Sequence, residues 1–189
     1  KIMKKQTFFL LMIIITTLLL KSCSSSPVLT ARGTTAILQK ESKYTGVDLQ
    51  FGIPISKSTE NRGKALALLS FGYGVANLNN NDKSLNFSNE ELTAGLGMMY
   101  LFKNGRMQPY GSVEAISLVQ SKSNDNSSTK KDGDLIIFPN LGIRYYMTNR
   151  FALNGSVGYQ YHIVNTLGNS FNLGGIAPSF GFTYMLRKE

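Results

Sequence analysis

Hydrophobic and polar positions alternate with period two through most of this chain. Around Phe151–His162 one face carries Phe151, Leu153, Val157, Tyr159 and Tyr161, and the other carries Ala152, Asn154, Ser156, Gly158, Gln160 and His162. Successive side chains of a strand point to opposite faces, so the pattern predicts a β-strand with one apolar face and one small or polar face. It recurs to give eight predicted strands, near 32–41, 44–55, 64–77, 89–102, 107–120, 135–147, 151–163 and 172–186. Short polar turns such as Met147-Thr148-Asn149-Arg150 join them as hairpins, and no long amphipathic helix interrupts the series.

Alternation alone does not say which face is outside. A soluble barrel buries its apolar face, whereas a membrane barrel turns that face to lipid and fills its interior with small and polar side chains. The apolar set is Val47, Leu49, Phe51 and Ile53 in the second strand, then Ala67, Leu69, Phe71, Tyr73 and Val75 in the third. It continues with Leu92, Ala94, Leu96, Met98, Tyr100 and Phe102 in the fourth, and Phe180, Phe182, Tyr184 and Leu186 in the last. The opposite faces are rich in glycine, which fits a narrow, crowded interior. The connections 77–88 and 121–134 read as long polar loops, and 103–106 and 148–150 as short turns. That alternation fits loops at one end and turns at the other, with both termini at the turn end.

The N-terminus favours the membrane. Lys1, Lys4 and Lys5 precede the uncharged run 7–20, which is short for a spanning helix and fits the apolar core of an export signal over residues 1–22. Cys23 is the single cysteine, so no internal disulfide can form. Its setting, Leu20-Lys21-Ser22-Cys23 followed by three serines, resembles a bacterial lipoprotein box, although Lys21 stands where a small residue is usual. Cys23 is therefore a lipidation candidate, with residues 23–31 as a tether and 32–189 as the barrel. The other reading is ordinary cleavage after Ala31.

Charge changes the picture little. Four of the 20 Lys and Arg residues lie in 1–22 and all 11 Asp and Glu lie beyond it, leaving a net charge of +5. The basic residues are scattered through turns instead of interleaved with aromatics on one face, so nucleic acid is not an expected partner. Tyr and Phe supply the aromatic content that membrane interfaces favour.

The series GVDLQFGIPIS, ALALLSFGYGVAN, LTAGLGMMYLF, MQPYGSVEA, NLGIRYYMTNRFALNGSVGYQYH and PSFGFTYML resembles the small outer-membrane β-barrels of Gram-negative bacteria. These are the OmpA/OmpX-like or porin-family group, especially in its Bacteroidetes form. Ser179, Gly181, Tyr184 and Leu186 are similar to the C-terminal assembly signal of such barrels, though the chain continues into Arg187-Lys188-Glu189. The resemblance implies an all-β, eight-stranded antiparallel transmembrane up-and-down β-barrel in the bacterial outer membrane. It also implies lipid and the barrel-assembly machinery as partners, with an extracellular ligand or surface met through the loops.

Strand parity turns Asp48, Glu114, Arg144 and His162 inward, with Glu91 beside them near a strand start. Buried charges are costly unless paired, and adjacent strands five and six suggest a Glu114–Arg144 pair. Such a network either plugs the lumen or sets the ion preference of a narrow pore. His162 is the only histidine, and His162-Ile163-Val164-Asn165 resembles the His-x-Ser-Asn pattern of lipid A deacylase barrels. Val164 occupies the serine position and removes the nucleophile, leaving His162 as a polar lumen residue. One Cys and one His supply no metal-ligand cluster, and Gly72-x-Gly74 and Gly95-x-Gly97 lack the strand-to-helix setting of a phosphate loop. The expectation is a non-enzymatic barrel without cofactor, acting structurally or through surface interaction. A narrow small-solute channel is the alternative, and a lipid-modifying enzyme a weaker one.

Overall fold

The structure, a computed structural model, describes residues 26–39, 41–56, 63–80, 85–123, 135–166 and 169–186. The predicted signal segment 1–22, Cys23 and most of the predicted 121–134 loop lie outside them. Eight antiparallel strands close into one barrel in chain order: β1 (Val28–Leu38), β2 (Lys43–Pro54), β3 (Lys64–Asn80), β4 (Leu85–Leu101), β5 (Met107–Ser123), β6 (Leu135–Tyr146), β7 (Phe151–Thr166) and β8 (Asn169–Met185). β1 closes the ring by pairing with β8, with Val28 opposite Met185 and Ile37 opposite Ile176.

Three differences from the expected layout matter. β1 begins at Val28, so residues 28–31, expected as tether, are part of the wall. The expected loop 77–88 is largely ladder: β3 and β4 stay paired through Asn77↔Ser88 to Asn80↔Leu85. Asn-rich sequence has low strand propensity, but two strands already in register satisfy their backbone groups by continuing the ladder. The connection after β7 also shrinks to residues 167–168, because Thr166 pairs with Asn169.

The barrel is inverted in polarity. Large apolar side chains stand exposed around the outside, among them Val47, Leu96, Leu141, Val157, Ile176 and Phe180. Apolar surface of this extent is untenable in water and is that of a wall facing lipid. Ile53, expected outside, is instead buried, and nothing in the described residues explains it. Aromatic rings cluster on the outer face towards the end that carries the termini, with Tyr100 against Phe102 and Phe151 against Phe182.

Inside, small residues make room for large ones. Gly46 and Gly74 face each other across β2 and β3, and a Cβ on Gly46 would lie 2.7 Å from the Tyr44 hydroxyl, which occupies that space. The expectation of a uniformly small and polar lumen needs correcting, because apolar clusters fill both ends. Towards the loop end Leu38, Tyr44, Phe138 and Leu173 pack together; towards the termini Val28, Leu66, Leu68, Met99, Leu101 and Tyr110 do so. Two prolines face outward and interrupt ladders they cannot donate to: Pro139 between β6 and β7, and Pro178 between β8 and β1. A bulge places Val119 as an extra residue of β5 opposite Leu92 and Thr93 of β4.

Candidate functional site: the charged layers of the lumen

The Arg32–Glu114 layer lies between the two apolar clusters, and Arg144 lies nearer the end that carries the termini. At the centre Arg32 of β1 reaches across the lumen to Glu114 of β5, which stands four strands away on the opposite wall. The contact is bidentate, with Nη1 donating to Oε1 at 2.7 Å and Nη2 to Oε2 at 3.0 Å. Arg32 Nε also donates to Asp48 Oδ2 at 3.0 Å, and Arg32 stands directly opposite Asp48 in the β1–β2 register. Gln50 Nε2 donates to Glu114 Oε2 at 2.7 Å, and the Arg32 guanidinium lies 5.3 Å from the centre of the Phe138 ring. Fork-to-fork geometry and shared donors are what make a buried ion pair tolerable.

The expected Glu114–Arg144 pair is absent. In the β5–β6 register Glu114 stands opposite Phe138, while Arg144 stands opposite Gln108. Six residues of strand separate the two layers by about 20 Å. Arg144 instead donates from Nε to Asn154 Oδ1 at 2.9 Å, contacts Met99 Sδ through Nη2 at 3.5 Å and lies 6.0 Å from the Tyr110 ring centre. Asn154 passes the network on to Thr183 at 2.6 Å, and Thr183 to Thr30 at 2.7 Å.

Asp48, Glu114, Arg144, His162 and Glu91 all lie inside the barrel, with Asp48 the most accessible of them. His162 Nε2 lies 3.1 Å from Gln160 Oε1, and its ring tilts against Tyr44 with centroids 5.6 Å apart. Of the assembly-signal candidates, Ser179 and Gly181 face the lumen, whereas Tyr184 and Leu186 are exposed on the outside. The sequence reading missed Arg32 because the first strand alternates weakly. Once Val28 starts that strand, Thr30, Arg32 and Thr34 share one face, which is the signal that finds it. Among the described residues no cluster of three His, Cys, Asp or Glu side chains could hold a metal ion.

A closed eight-stranded barrel with a lipid-facing exterior and a packed interior carrying buried charges defines the class: the chain has the fold of the small outer-membrane β-barrels. No family model matches the chain. No curated protein matches it either. Solved structures do. The outer membrane enzyme PagL is 9% identical with a TM-score of 0.55, covering 80% of this chain and 97% of its own. Neisserial surface protein A is 14% identical with a TM-score of 0.54, covering 84% and 95%. The outer membrane protein OprG from Pseudomonas aeruginosa is 14% identical with a TM-score of 0.52, covering 86% and 97%. One is called an enzyme and another a surface protein, so the shared fold does not carry one function.

Proposed function

We propose that the protein is a non-enzymatic outer-membrane barrel whose lumen is plugged and whose work is done by its outer ends, as a structural or surface-interaction protein. The observation that carries this reading is the Arg32–Glu114 bridge across the lumen, sealed above and below by apolar side chains. A solute would have to break a bidentate buried ion pair and pass two dry layers. His162 supports the same reading, since its neighbours Gln160 and Tyr44 give it a packing role. The partners that follow are lipid along the wall, the barrel-assembly machinery at the β8 strand, and an extracellular ligand or surface at the loop end. Planar-bilayer recording of the refolded protein tests the proposal. Baseline current is expected from wild type, and steady single-channel steps would overturn it in favour of a narrow channel.

A further inference from the structure

Arg144 is the largest fully buried side chain described, at 1% exposure, yet among the described residues it has no carboxylate partner. Its Nη1 has no hydrogen-bond partner among the described residues. An ionised side chain kept out of water without a counter-charge costs several kcal/mol, so something of opposite charge is favoured beside it. Arg144 borders a cavity of about 300 Å³ at the end of the barrel that carries the termini. The polar side chains of its lining are Lys64, Asn104, Gln108, Arg144 and Tyr146. Lys64 is itself buried, and Gln108 Oε1 is a second unpartnered buried atom; turning that amide presents an N–H group in its place. Among the described residues the lining thus contains two basic side chains and two amides, and no carboxylate.

We propose that this mouth is a binding site for a small soluble oxyanion of the phosphate class. The unpartnered Nη1 of the Arg144 guanidinium supplies a charged donor suited to a phosphate oxygen, and Lys64 is a second basic side chain in the same lining. The cavity is lined by lumen-facing side chains and lies inside the wall, so it is reached from the aqueous mouth and not from the lipid. The site lies in a different layer from the Arg32–Glu114 bridge, and phosphate binding does not require that bridge to open.

The test uses the full chain refolded into phosphatidylcholine vesicles and titrated with inorganic phosphate at constant ionic strength, with chloride as the control. Phosphate is expected to raise the unfolding midpoint where chloride does not, and its ³¹P resonance should broaden in the presence of protein. Lys64→Met should weaken the apparent affinity about 10-fold, equivalent to about 1.4 kcal/mol. Arg144→Met should abolish the response, and Arg144→Lys should restore part of it. Absence of ³¹P broadening with wild type overturns the proposal even if the Arg144 variants fail to fold. An undiminished phosphate response in folded Arg144→Met also overturns it. Loss of the response in vesicles containing phosphatidylglycerol would assign the oxyanion to a lipid headgroup and overturn the soluble-ligand assignment.

Discussion

Replacing Arg32 by Met is the most informative perturbation of the lumen. Arg32 is the cation between two carboxylates, with Asp48 on the neighbouring strand and Glu114 across the barrel. Its removal leaves both carboxylates facing each other in a dry layer, so the cost lies in the range for breaking a buried pair, about 3–5 kcal/mol. Glu114→Gln is milder, because Arg32 keeps Asp48 and the amide retains some hydrogen bonding. The loss is then that of charge-assisted hydrogen bonds, about 1.5–3 kcal/mol. The double variant removes the charge that Arg32→Met leaves stranded deepest, so its cost should fall short of the sum by at least about 1 kcal/mol. Equilibrium urea unfolding in lipid vesicles, followed by tryptophan-free probes such as far-ultraviolet circular dichroism, measures all three. Additive losses, or an Arg32→Met variant no less stable than Glu114→Gln, would refute the cross-lumen pair.

Other outcomes follow from the same geometry. Glu114→Gln and Arg144→Met should be additive within about 0.5 kcal/mol in that urea assay, because their layers are far apart and share no partner; strong coupling would refute the register. Arg in place of Leu96 or Phe182, both exposed on the outer wall, should cost about 2–4 kcal/mol if they lie near the bilayer midplane; wild-type stability in vesicles would show that these faces do not meet lipid. Gly74→Leu should destabilise by displacing the Tyr44 ring, read as a lowered thermal midpoint, and Tyr44→Ala in the same chain should recover part of the loss. A cysteine at Asn126 should react with an impermeant thiol reagent on intact cells and one at Asn149 should not; the reverse would invert the orientation.

Strand count, the inward and outward faces and the short turns at 103–106 and 148–150 were legible because a half-buried strand writes its two environments in alternate residues. The inward direction of Glu114, Arg144 and His162 followed from the same parity. Their partners did not, because parity says which face a residue occupies and nothing about its height along the barrel. Height depends on the stagger between strands, which is why Arg144 met Asn154 and Met99 in place of Glu114. Arg32 was hidden by an uncertain strand start. The extension of β3 and β4 beyond residue 77 was hidden by composition, since Asn-rich hairpins and Asn-rich loops look alike until the register is known.

The closing seam has a consequence for how the barrel forms. β1 meets β8 through nine register pairs, interrupted at Pro178, whereas the hairpin of β7 and β8 has sixteen. Every other neighbouring pair of strands is a hairpin that can zip locally, but this seam joins the two ends of the chain and carries the largest loop-closure entropy. Glu114 therefore lacks its cation until the first strand arrives with Arg32. The bridge acts as a latch set only when the ring shuts: it belongs to the final step of folding, slows reopening of that seam, and leaves the earlier zipping of hairpins untouched.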